Sequence, residues 1–196
     1  MARSAHIPPL IRELRAAGAT RRECAAAQLF QAGRDLAIAA SVRWFADRAL
    51  AACFALAKDS GLPEITVGIA VEPRSFDEIR AASGSPPLAD VPPDQDAKEF
   101  TLDFPGGVRV DILTTRAQGG SGAVERFLAR FGEGIQQVEF AVSNLDRATE
   151  ILRERFAAEP VYPAARPGAD GARVNFFLVP TAGEAKVLIE LVESHS

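Results

Sequence analysis

The chain has 196 residues, 47% of them hydrophobic and 24% charged, with a formal net charge of −4. That length suits one domain with an extension or two small modules, and the composition is that of a globular protein. The acidic balance and the lack of any Lys/Arg block argue against a nucleic-acid partner, whose phosphates need a basic surface.

The first residues lack the continuous apolar run of a signal peptide. Pro8 and Pro9 sit where a first helical turn tolerates proline, and Gly18 is a C-cap for that helix. Thr20 caps the next helix, and Leu36, Ala39, Val42, Phe45, Leu50, Cys53 and Leu56 recur at mostly three- and four-residue steps between Asp35 and Lys58. Arg43, Asp47 and Arg48 interrupt that run, so it reads as a buried amphipathic helix and not a membrane span. Trp44 lies off the stripe, which leaves packing against the sheet or a neighbouring helix, a homodimer surface, or a lid over the concavity described below. Cys24 and Cys53 have no metal or disulfide spacing and read as two buried thiols of a cytoplasmic protein.

Character changes at Glu64. "EITVGIAV" is a strand, and "SFDEIRAAS" a short helix with Ser75 as N-cap and Glu78 completing a capping box. "GSPPLADVPPDQD" is a proline-rich loop with room for a short edge strand. "KEFTLDF" and "GVRVDILTT" form a hairpin around Pro105-Gly106-Gly107. Residues 121–131 make a linking helix. "GIQQVEFAV", "NLDRATEILRERF", "EPVYP", "ARVNFFLVP" and "KVLIELVE" then read as strand, helix, short strand, strand and strand. In that helix Leu145, Ala148, Leu152 and Phe156 repeat at three and four and should face the sheet. "TVGIAV" matches "QVEFAV", and "VDIL" matches "IELV", so one module is present twice.

Strand side chains alternate between faces. Val138, Phe140 and Val142 make an apolar face that leaves Gln137, Glu139 and Ala141 opposite, and Gln136 falls on the apolar, helix side. The same alternation puts Thr66, Arg109, Asp111, Lys186 and Glu190 on the non-helix faces, which would form one concave surface if the modules pair.

This pattern resembles the vicinal oxygen chelate superfamily of glyoxalases, bleomycin-resistance proteins and dioxygenases. The likeness is greatest to the methylmalonyl-CoA epimerase family, carried by "VERFLARFGEGIQQVEFAVSNLDRA" and "RPGADGARVNFFLVPTAGEAKVLIELVE". It implies an α+β fold, with paired βαβββ modules forming a curved sheet around a cleft. The expected division is an N-terminal helical segment, 1–62, and a vicinal oxygen chelate domain, 63–196, with modules 64–118 and 132–193.

The resemblance also implies four inward metal positions, typically His, Gln, His and Glu in the epimerases. They fall on Thr66, Asp111, Gln137 and Glu190. Both histidines are lost, which disfavours dioxygenase, glyoxalase and fosfomycin-type chemistry. The remaining oxygen donors suit a hard divalent cation (Mg, Mn or Ca), or bond one another with no metal. Two functions stay open. One is an isomerase or epimerase with Glu190 as base, Glu139 or Asp111 as second base, and Arg109 or Lys186 supporting the enolate. The other is a binding or sequestering protein of the bleomycin-resistance type, with Asn175 and Phe177 lining the pocket and Arg109 or Lys186 pairing a small anionic ligand.

Overall fold

The computed structural model describes residues 6–57, 61, 63–117, 119–181 and 186–194. It divides into two compact units, the first built from the chain up to Gly33 with Thr66–Gln136, the second from Arg34–Ile65 with Gln137 onward.

Unit 1 begins with α1 (Ile7–Glu13), whose first turn holds the prolines, and the first half of α2 (Ala19–Ala46). It continues through β1 (Ile65–Ala70), α4 (Pro73–Ala82), β2 (Ala97–Phe104), β3 (Val108–Thr115) and α5 (Ala123–Phe131). The strands run β2–β3–β1, with β1 parallel and β2 antiparallel to β3. The hairpin at 105–107 turns on Gly106 and Gly107, with φ of 76° and 72°, a region glycine enters without steric cost. The edge strand anticipated in the proline-rich loop is reduced to one backbone bond, Ala89 N–H to Glu99 C=O at 2.9 Å. Helix α4 starts two residues earlier than Ser75: Glu72 is its N-cap, and Ser75 is buried. A capping serine must stay outside the first turn, and here Pro73 occupies the turn's start. Ser75 instead accepts a hydrogen bond from Arg15 Nη2 at 2.5 Å.

Unit 2 holds the second half of α2, α3 (Arg48–Ala51), β4 (Gly134–Ala141, from Gln137), α6 (Leu145–Phe156), β5 (Arg166–Pro167), β6 (Arg173–Pro180) and β7 (Lys186–Glu193). Its strand order is β4–β7–β6–β5, with β4 parallel to β7 and the other pairs antiparallel. The path β4–α6–β6–β7 thus repeats β1–α4–β2–β3, as the duplicated sequence requires. The expected strand at "EPVYP" is a single bridge, Pro160 to Phe177, and the paired residues come later, at Arg166–Pro167. Prolines at 160 and 163 lack the N–H that a longer ladder needs.

In α6, Leu145, Ala148, Ile151 and Leu152 are buried, and Asn144 caps the helix by accepting from Arg147 N–H at 2.9 Å. The long helix departs from expectation. It ends at Ala46, Asp47 caps the four-residue α3, and residues 54–57 run extended. Phe54 bridges to Val142, and Ala55 N–H donates to Ala141 C=O at 2.9 Å. Asp47 accepts from two backbone N–H groups, which is why the helix restarts there. The buried stripe of α2 is Leu29, Gly33, Ala37, Ser41 and Trp44, and the anticipated stripe residues Leu36 and Val42 are 37% and 60% exposed. Small residues define the true stripe because the helix sits close to the sheet: in unit 1 a Cβ on Gly33 would lie 2.6 Å from Val67 Cγ1. In unit 2, Phe45, Phe54 and Phe140 pack mutually at 5.2–5.6 Å between ring centroids. Cys53 is buried, which raises its thiol pKa, whereas Cys24 is exposed, contrary to expectation.

Candidate functional site

Each unit has one strand face covered by helices and one free of them. In unit 2 the covered face is fixed by two contacts. Trp44 of α2 meets Phe177 edge-on at 6.2 Å, and Asn175 Nδ2 lies 3.5 Å from Thr149 of α6. Odd-numbered residues of β6 therefore point to the helices. Asn175 and Phe177, both about 1% exposed, lie on the covered face and not on the face that carries Glu190, and Asn175 borders a cavity with Thr149 and residues 163–165. Trp44 is likewise a core residue rather than a lid.

The residue that shares a face with Glu190 is Phe176, its direct partner across the β6–β7 pair. Residues directly opposite in an antiparallel ladder project to the same side, about 5 Å apart. The sequence "NFFL" offers two adjacent phenylalanines on opposite faces. Only the pairing register says which is which, so no pattern in the sequence alone could have chosen Phe176.

On the same face Glu139 of β4 sits beside Glu190 of β7 in parallel register. Gln137 joins them: its Nε2 donates to Glu190 Oε2 at 2.5 Å and to Glu139 Oε1 at 3.1 Å. Two carboxylate neighbours fix the amide's orientation, since only the NH2 end can donate to both. Gln137 and Glu190 are buried and Glu139 half-buried. Gln136 points the other way; its Oε1 is buried without a hydrogen-bond partner. The face alternation read from "IQQVEF" thus assigns the two glutamines as found. Lys186 lies on the Glu190 face, four residues earlier, and is exposed.

In unit 1 the helix-free face carries Thr66, Arg109 and Asp111. Asp111 is buried, beside Gly68 in parallel register, and accepts from Thr101 Oγ1 at 2.6 Å. Arg109 pairs with Asp103 at 2.7 Å. Thr66 is half-buried.

Within each unit, positions implied to bind a cation are engaged by neighbouring side chains. A ligating glutamine turns its carbonyl oxygen to the metal, but Gln137 aims its NH2 at the carboxylates. Asp111 is already bonded to a threonine hydroxyl. Among the described residues no group of three or more His, Cys, Asp or Glu side chains is arranged to hold a metal ion. The donors at Thr66, Asp111, Gln137 and Glu190 are oxygens and amides only, without the imidazoles that suit borderline metals.

No protein-family model and no curated protein sequence matches the chain. Among solved structures, methylmalonyl-CoA epimerase from Mycobacterium tuberculosis is 31% identical, with a TM-score of 0.55 over 67% of this chain and 87% of that one. A hypothetical protein from Bacillus halodurans C-125 is 23% identical, with a TM-score of 0.55 over 67% and 93%. A Streptomyces coelicolor methylmalonyl-CoA epimerase variant, in complex with 2-nitronate-propionyl-CoA, is 23% identical with a TM-score of 0.52 over 68% and 98%. The duplicated β–α–β–β path and these neighbours define a protein of the vicinal oxygen chelate fold, of α+β class with a helical N-terminal segment. Within that fold, the chain belongs with the methylmalonyl-CoA-epimerase-like proteins. No helix among the described residues is long and apolar enough to cross a membrane.

Proposed function

We propose that the protein is an isomerase or epimerase acting next to a carbonyl of a small acyl compound, with Glu190 as the base. The observation that carries this reading is the Glu139–Gln137–Glu190 cluster on the helix-free face of unit 2. A carboxylate positioned by an amide beside a second carboxylate provides the acceptor that general-base catalysis needs. In the reaction, the Cα–H bond breaks, its proton passes to Glu190, and the electron pair moves to the carbonyl oxygen. Glu139, entering as the neutral acid, gives its proton to the carbon as the electron pair moves back from the oxygen. Lys186 is the strand residue of this face that could support the enolate oxygen, while Arg109 is held by Asp103.

The likeness to the epimerases, whose names specify methylmalonyl-CoA, supports an acyl-CoA as the substrate class. It also supports catalysis over the sequestering alternative. The proton transfer runs through the two carboxylates, to which Gln137 turns its NH2 group. The boundary near residue 62 is proposed as the start of the family-like portion, which agrees with structural matches over 67% of the chain. The homodimer belongs to the same proposal and is checked by sedimentation of the purified protein.

The test is proton exchange. Methylmalonyl-CoA incubated in D2O with the protein should lose its α-proton NMR signal, in the presence of EDTA as well as without it. An intact signal at high enzyme concentration would overturn the proposed activity.

A further inference from the structure

The surroundings of Glu190 are polar toward β4 and apolar toward β6. On the β4 side lie Gln137 and Glu139. On the β6 side Phe176 stands directly opposite Glu190, and Leu178 directly opposite Leu188. These side chains project to the helix-free side, about 5 Å apart across the pair and about 7 Å apart along a strand. A strand face with no helix on it ordinarily carries polar side chains. Here Leu178 is 53% exposed, and Phe176 and Leu188 are half-buried.

A second ring turns this patch into a corner. The chain after α6 is pinned to β6 twice. Pro160 bridges to Phe177, and Val161 N–H donates to Phe176 C=O at 2.7 Å. Farther on, Arg166 and Pro167 pair with Val174 and Arg173. Between these anchors the half-buried Tyr162 packs against Phe176, with ring centroids 6.0 Å apart and planes at 73°. A flat third ring that stacks on one of the two meets the edge of the other, and both arrangements are favourable.

We infer that this corner is the substituent pocket of the site, and that it selects an acyl compound carrying an aromatic ring near Cα over short or carboxylated acyl groups. The inference rests on the reading of Glu190 as base. Proton removal brings Cα within reach of Glu190, so the group that Cα carries falls on the residues around that carboxylate. Toward β4 an amide and two carboxylates already bond one another. Toward β6 a ring finds apolar and aromatic surface. A ligand carboxylate placed there would lose water and gain no hydrogen bond from Phe176, Leu178 or Leu188. Phe176 and Tyr162 are specificity-determining residues on this reading, separate from the proton-transfer groups.

The test is titration calorimetry of the full chain with thioesters that differ only in the acyl group: 3-phenylpropionyl-CoA, 3-cyclohexylpropionyl-CoA, propionyl-CoA and methylmalonyl-CoA. Wild type should bind the phenyl ester at least about 10-fold more tightly than propionyl-CoA or methylmalonyl-CoA, the scale of a buried ring in an aromatic pair. The cyclohexyl ester should fall between. Phe176→Leu should cut the phenyl preference at least about 3-fold and leave propionyl-CoA affinity unchanged. Tyr162→Leu, outside the sheet ladder, should do the same and keeps the test open if Phe176→Leu does not fold. Equal affinities, tighter binding of methylmalonyl-CoA or of the cyclohexyl ester, no binding at all, or a preference that survives the variants overturns the inference. Proton exchange in D2O on the same samples separates it from the reading beneath it. Exchange without ring preference sinks the pocket and leaves Glu190 as base. A ring preference that the variants remove, with no exchange in any ester, sinks the base and leaves the pocket.

Discussion

The helix-free faces of the two units come from one duplicated pattern and have diverged in chemistry. In unit 1 the carboxylates are neutralised or capped locally, Asp103 by Arg109 and Asp111 by the Thr101 hydroxyl. In unit 2, Glu139 and Glu190 lie side by side and share one neutral amide. The backbone path is kept, because the covered face must bury the same apolar alternation in both. The uncovered face is not bound by that constraint, so its polar side chains can differ between the copies.

The largest expected effect separates the two faces directly. Glu190→Gln should slow α-proton exchange by at least about 100-fold, the scale of losing a positioned base. Asp111→Asn should slow it by less than about 10-fold, because an amide can still accept from Thr101. Equal losses, measured by NMR in D2O, would mean that unit 1 supplies a reacting group and that the contrast is wrong.

The covered faces should behave alike, and a stability measurement sharpens that half of the comparison. Leu152 of α6 is fully buried, as is Ile79 of α4 at the corresponding helix. Truncating either to alanine should cost about 2–5 kcal/mol in chemical denaturation, from lost transfer energy and the cavity left behind. A cost below about 0.5 kcal/mol at Leu152 alone would show that α6 is loosely docked and its facing misjudged.

A smaller effect belongs to the α2–α3 break in unit 2. Backbone N–H donation from Leu50 and the Arg155 guanidinium hold the Asp47 carboxyl below its ordinary value. A depressed folded value stabilises the folded state above the unfolded pKa of about 3.9 and loses that contribution as pH falls through the folded value. The melting-temperature gap between wild type and Asp47→Asn should therefore be present at pH 7 and shrink below about pH 4. A gap that is the same at pH 3 as at pH 7 would detach the cap from the charge.

What the sequence made legible follows from where period and face are strictly coupled. The β4 alternation assigned Gln137 and Gln136 to opposite faces because every second residue of "IQQVEF" is apolar. The internal repeat likewise pointed to two equivalent modules. Where coupling fails, legibility fails. "NFFL" has apolar residues on both faces, so the pattern alone does not separate Phe176 from Phe177. In α2 nearly every position is apolar or small, so the large residues Leu36 and Val42 looked like the buried stripe. Close approach to the sheet instead selected Gly33, Ala37 and Ser41, and a polar side chain could be buried because Ser41 Oγ donates to Ala37 C=O at 2.7 Å.

That helix supplies the smallest expected effect and the sharpest check on its facing. Val42 is 60% exposed, whereas Ala37, five residues earlier, is fully buried in the same unit. Val42→Asp should change stability by no more than about 0.5 kcal/mol, as surface substitutions do. Ala37→Leu forces extra methylenes against a packed face and should cost about 1–3 kcal/mol. If Val42 does pack on a second copy of the chain, the aspartate will leave the fold intact but lower the sedimentation coefficient, since a charge at an apolar contact opposes association. An unchanged coefficient with an unchanged midpoint would leave Val42 in solvent. A destabilised, unassociated chain would restore the stripe that periodicity alone suggests, and with it the wrong face of α2 against unit 2.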